Sequence, residues 1–138
     1  MYDTILLTLD ASATDRAIIE HVKALAGHMH SRVILLHVAT GVPAQLGGPD
    51  AGGEEIEKSR AYLERVRCEF EAVGVPAQAE LAFGVPVREI VKWVEERGCD
   101  LLAMGTHGHG IVGDLFFGVT ASRVQHSISV PVLLLRSH

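Results

Sequence analysis

The chain has 138 residues, with 12 basic against 17 acidic side chains for a net charge of −5, and 48% of its residues are hydrophobic. One domain over residues 1–138 accommodates that length and buries roughly two-thirds of its unfolded surface. The acidic balance works against DNA, other nucleic acid or an anionic membrane surface as the main partner.

The opening MYDTILLTLD carries acidic flanks and an apolar run far shorter than the ~20 residues of a membrane span, so it reads neither as a signal peptide nor as a transmembrane helix. Residues 4–9 (TILLTL) read instead as a strand buried on both faces. Asp10 follows directly. Ser12, with Asp15 three residues on, has the form of a capping box opening the first helix, whose apolar stripe is Ile18, Val22 and Leu25. Gly27 falls near its end. A second strand occupies 33–38 (VILLHV), and the polar, Gly/Pro-rich stretch 39–53 is a long loop within the domain.

Ser59, Leu63, Val66, Phe70 and Val73 then recur at helical spacing, closed by Gly74. A weaker apolar run at 77–83 gives a third strand. Pro86 sits where a first-turn proline is tolerated, ahead of Val87, Ile90, Val91 and Val94, with Trp93 as packing and Gly98 as the stop. Residues 101–104 (LLAM) and 132–135 (VLLL) complete five strands, with a last helix between them, and Leu115, Phe116 and Phe117 read as core. Cys68 and Cys99 form no C-x-x-C and are expected as packing thiols in a reducing cytoplasm. Strands alternating with helices predict an α/β fold: a doubly wound, Rossmann-like, five-stranded parallel sheet with helices on both faces and right-handed crossovers.

Sheets of this kind bind ligands beyond the carboxyl ends of their strands, where the strand order reverses. The residues at those ends are Asp10 and the run Gly105-Thr106-His107-Gly108, which opens MGTHGHGIVGDLFFGVTASR, five glycines within fourteen residues from Gly105 to Gly118. Clustered glycine marks a backbone that turns tightly or lies close to a ligand. A literal G-x-G-x-x-G at Gly108, Gly110 and Gly113 does not fit a dinucleotide site, because it follows the fourth strand and no acid comes after Asp114. The alternative spacing, Gly105-x2-Gly108-x9-Gly118, leads from a strand end into the start of a helix, and backbone N–H groups there suit an anion without any lysine. His107 and His109 form an H-x-H with no evident third ligand, so no metal site is expected. His109 is a candidate donor to phosphate.

With this glycine spacing, ILLTLDAS at the first strand, LLHV at the second, a Gly-Val-Pro before the third helix, DLLAMGTHG and VPVLLLR, the chain resembles the universal stress protein family over nearly its whole length. The resemblance implies a cytoplasmic ATP-binding sensor or regulatory module of the stress response, with or without magnesium. It implies that Asp10 contacts the adenosine end, that Val38 lies beside adenine, and that Gly105, Gly108 and Gly118, followed by Val119 and Thr120, cradle the phosphates. It also implies a homodimer through the C-terminal strand, whose short apolar edge asks to be covered. Val119 stands where the family pattern has Ser or Thr, and Asp114 brings a carboxylate into the loop. Both favour a second reading, a dimeric interaction module of the same fold that binds no nucleotide. His107, His109, Arg123, Asp10 and Asp114 do not make the base, metal clamp and cation of efficient phosphoryl transfer, so little or no catalysis is expected, at most a slow ATPase.

Overall fold

The computed structural model describes residues 1–39, 53–107 and 122–137. The elements in chain order are β1 (Thr4–Thr8), a 3₁₀ turn (Ala13–Asp15), α1 (Arg16–Met29), β2 (Arg32–Ala39), α2 (Gly53–Ala72), β3 (Ala77–Phe83), α3 (Pro86–Glu96) and β4 (Leu101–His107), then β5 (Val132–Ser137). Residues 122–127 are helical as well. All five strands pair in parallel in the order β3-β2-β1-β4-β5. The chain therefore winds outward from β1 to one edge and returns to β4 to build the other.

Alternation along each strand explains the near-continuous apolar runs. Ile5, Leu7 and Leu9 of the first strand and its continuation, Val33 and Leu35 of β2, and Leu101 and Ala103 of β4 share one face with Ile18, Ile19 and Val22 of α1 and Leu63, Val66 and Phe70 of α2. Leu6, Ile34, Leu36, Leu102 and Met104 face the other way, against Ile90 and Val94 of α3 and Val124 of the helical residues 122–127. A parallel sheet covered on both sides has no wet face, which is why its strands show no polar alternation.

Several elements extend beyond the sequence expectation. β4 runs to His107, so Gly105 and Thr106 are strand residues paired with Leu135 and Arg136 rather than parts of a loop. α2 begins at Gly53, ahead of Ser59. α1 reads through Gly27 and closes on His30, which takes the left-handed conformation at φ 57. Gly74 (φ 81) and Gly98 (φ 62) are the left-handed helix stops expected of them. Cys99 is buried but Cys68 is exposed, because it lies off the stripe of Leu63, Val66 and Phe70. Val73, beyond the last turn of α2, is exposed too. Trp93 packs as expected against the second core, with the Arg97 guanidinium 4.5 Å from its ring centre.

α1 and α2 are also joined at the surface. The Arg16 guanidinium makes a two-pronged contact with Glu69 (Nη1–Oε1 2.6 Å, Nη2–Oε2 2.9 Å), and Lys23 Nζ lies 3.3 Å from the same carboxylate. The Arg16 hydrogen bonds hold the Glu69 carboxyl well below its ordinary value of 4.5, at about 2. A depressed carboxyl stabilises the fold above its unfolded pKa, and that stability is lost as pH falls from about 4.5 through about 2. Glu69→Gln should cost only about 0.5–1 kcal/mol at neutral pH, as exposed pairs do, and should flatten the fall of Tm in that acid window. Thermal melts of both proteins between pH 6 and the acid limit check this; parallel curves would show that the network contributes nothing.

Candidate functional site

The reversal of strand order lies between β1 and β4. Thr8, the last residue of β1, pairs with both Leu36 of β2 and Met104 of β4, and the chain leaves the sheet there toward Asp10 while β2 continues through Val38 and β4 through Thr106. Asp10 thus stands at the carboxyl rim of the central strand, at the crevice where this kind of sheet binds its ligands. Val38 is half-buried and packs against the second core. It offers an apolar wall beside Asp10. His37 turns its Nδ1 to the Leu9 carbonyl at 2.8 Å; a carbonyl only accepts, so Nδ1 carries the proton and the backbone just before Asp10 is held to β2.

The turn that presents Asp10 is held from within. The Asp15 carboxylate accepts the backbone N–H of Asp10 (2.9 and 3.1 Å), of Ala11 (2.9 Å) and, at a longer 3.4 Å, of Ser12. The Tyr62 hydroxyl, from α2, donates to the same carboxylate at 2.7 Å. Asp15 is only 5% exposed. Burial raises its pKa, against the opposing pull of the Tyr62 hydroxyl and the Asp10 and Ala11 amides. Tyr62 is pushed up as well, by burial and by its bond to Asp15. The reciprocal half of the expected capping box is therefore present, and it does more than cap: it gathers three successive amides of the β1 turn. Ala11 within that turn sits at φ 65, a left-handed conformation that costs a side-chain-bearing residue about 1–2 kcal/mol. The Ser12 hydroxyl donates to Asp10 Oδ2 at 3.2 Å and lies 2.7 Å from the Thr14 hydroxyl.

Gly105 lies on the face covered by α1, and a Cβ there would come within 3.4 Å of Ile18 Cγ2. Close approach of the first turn of α1 to β4 is thus one physical reason for glycine at this position. Gly108, His109, Gly118, Val119 and Thr120 lie outside the described residues, as do Asp114, Leu115, Phe116 and Phe117. Asp10 follows β1, whose two neighbours β2 and β4 carry Val38 and Gly105. Asp15, Tyr62 and His37 were not among the sequence candidates. Asp15 was legible only as a capping residue, and nothing local to residue 62 points to a partner 47 positions away.

Among the described residues no group of three or more His, Cys, Asp or Glu is arranged to hold a metal ion, and no helix is long and apolar enough to cross a membrane.

A doubly wound parallel sheet with an aspartate at its switch point defines the class: an α/β protein of the Rossmann-like type with a candidate crevice at the β1 and β4 rim. Residues 1–136 match the Universal stress protein family, and the chain belongs to it. It is 36% identical over 138 residues to a universal stress protein of Thermus aquaticus encoded in the QAH/OAS sulfhydrylase 3′ region, covering 99% of this chain and 100% of the relative. The solved structure of the Methanocaldococcus jannaschii protein MJ0577 superposes with a TM-score of 0.84 at 29% identity, covering 100% of this chain and 98% of that one. A universal stress protein of Archaeoglobus fulgidus solved in complex with dAMP superposes at 0.73 with 18% identity, covering 96% and 97%. A universal stress protein solved in complex with cAMP superposes with a TM-score of 0.71 at 18% identity, covering 97% of this chain and 96% of that one. At that identity these last two speak to the fold.

Proposed function

We propose that this chain binds an adenine nucleotide, ATP in the first instance, across the rim between β1 and β4, and serves as a cytoplasmic sensor or regulatory module of the stress response. The observation that carries the reading is the position of Asp10, just beyond the carboxyl end of β1 at the strand-order reversal between β1 and β4. Relatives of the same fold that hold dAMP and cAMP support it. Asp10 suits a sugar hydroxyl, which donates to a carboxylate, and Val38 suits the face of a base. The amides of the β1 turn are occupied by Asp15, so the phosphates belong on the β4 side, toward Gly105 and the Gly108, His109, Gly118, Val119 and Thr120 segment. Magnesium, where it binds, would ride on the phosphates; the described residues supply no cluster for it.

Turnover is slow or absent in this reading, since His107, His109, Arg123, Asp10 and Asp114 of the sequence do not make the base, metal clamp and cation of efficient phosphoryl transfer. The rival reading, an interaction module without nucleotide, is favoured by Asp114 and Val119. Extracting small molecules from protein purified without added nucleotide and weighing them by mass spectrometry distinguishes the two. Adenine nucleotide at a substantial fraction of the protein concentration supports binding. Its absence, together with no uptake from millimolar ATP, leaves the interaction module.

Either reading includes a homodimer through β5. That strand is the edge of the sheet, and Leu134 on it is 40% exposed. An uncovered apolar edge strand pairs readily, and a two-fold axis closes the pairing without leaving a further edge. Light scattering should give a dimer for the native chain and a dissociation constant at least ~10-fold weaker for Leu134→Lys, the equivalent of about 1.4 kcal/mol. A native monomer at high micromolar concentration would refute this.

A further inference from the structure

The turn after β1 has the shape of an anion site that the chain has filled itself. Successive backbone N–H groups converging from a turn with a left-handed residue form a concavity suited to an anion, and here Ala11 at φ 65 supplies that residue and the Asp15 carboxylate supplies the anion. The carboxylate is in turn bonded to Tyr62 of α2. Tyr62 is half-buried, its ring packed against the core under α1 and α2, so its hydroxyl comes from a fixed platform. A buried carboxylate is stable only when its donors are in place, which makes the two sets of bonds mutually dependent: the amides hold Asp15, and Asp15 with Tyr62 holds the amides.

We propose that Asp15 and Tyr62 form a positioning latch that ties α2 to the β1 turn and fixes the Asp10 carboxylate for its ligand. Neither residue touches the ligand in this assignment; both act through Asp10, and the ligand half of the idea rests on the nucleotide reading. Ordering the turn before binding removes an entropic cost that the ligand would otherwise meet. Released, the turn offers its amides to solvent and Ala11 is free to leave its left-handed conformation.

The test compares Tyr62→Phe and Asp15→Asn with the native chain at a temperature well below all three melting points. Tyr62→Phe keeps the packed ring and removes only the hydroxyl; Asp15→Asn keeps the shape and removes the charge. Hydrogen exchange at the Asp10, Ala11 and Ser12 amides is expected to accelerate about tenfold or more in both, while the β2 and β4 amides hold their protection. Dissociation constants for adenosine and for ATP should rise together, about three- to tenfold in Tyr62→Phe and further in Asp15→Asn. A merely structural pair would lower Tm and leave the affinity of the folded protein unchanged, and that result overturns the proposal. So does ATP binding that tightens in Asp15→Asn while adenosine is unaffected, for then the carboxylate only repels phosphate. Unchanged exchange in both variants sinks the latch whatever the ligand does. Accelerated exchange in a protein whose native form binds neither adenosine nor ATP upholds the latch on the Asp10 turn and overturns the nucleotide reading.

Discussion

Phe70→Ala is expected to destabilise the fold by about 3–5 kcal/mol. Phe70 is fully buried on α2, in the cluster that joins α1 and α2 to β1, β2 and β4. Its backbone carbonyl also accepts the N–H of Val73 (3.1 Å) and of Val75 (3.0 Å) as the helix ends and the chain turns toward β3. The ring therefore lies where the helix must stay pressed to the sheet for the next strand to start in register. Against a total stability of roughly 5–15 kcal/mol, such a loss brings the unfolding midpoint down by about 2 M urea at a typical slope for a small domain. Urea titration followed by circular dichroism measures it. A cost under about 1 kcal/mol would mean that Phe70 is not central to this core. Because Tyr62 stands on the same helix, partial loosening of α2 should also quicken exchange at the Asp10 turn.

The largest expected effect on ligand is that of Asp10→Ala. A hydrogen bond to an ionised group contributes about 1.5–3 kcal/mol, so adenosine and ATP should both weaken by about tenfold to a hundredfold. Equal losses for the two ligands are the diagnostic feature, because Asp10 is assigned to the end they share. Stability should change by less, since Asp10 lies just past the end of β1 at the rim and is only half-buried. A loss confined to ATP would place Asp10 beside the phosphates or a metal instead.

Much of the fold was legible because parallel strands buried on both faces are apolar nearly throughout, as TILLTL, VILLHV, LLAM and VLLL are. Helical spacing located α1, α2 and α3 by the faces they bury, and Gly74 and Gly98 marked the ends of α2 and α3 because each takes positive φ. Where the reading went astray, a local signal had two physical meanings. Gly105 suggested the start of a loop, yet it is a strand residue beneath Ile18, and composition does not separate a glycine that turns from one that makes room. Val73 continued the spacing of α2 past the point where the helix had ended. Cys68 could have been placed outside from the start, since it lies two residues from Val66 and two from Phe70, off their common face.

The candidate site divides the same way. Asp10 could be singled out because the rule about strand ends is geometric and needs only the order of elements, whereas Val38 entered only through the family resemblance. The Asp15 and Tyr62 pair was not, because it is a tertiary contact between a cap and a helix 47 positions apart. Its only local trace is an acid three residues after Ser12, which an ordinary helix start would show equally.

The central claim, an adenine nucleotide site at the rim between β1 and β4, is tested most directly by isothermal titration of ATP and adenosine into the native chain and into Asp10→Ala. The account predicts that the native protein binds both ligands with submillimolar dissociation constants and that the substitution weakens both alike. Binding of neither ligand at millimolar concentration, or equal binding by the two proteins, would contradict it.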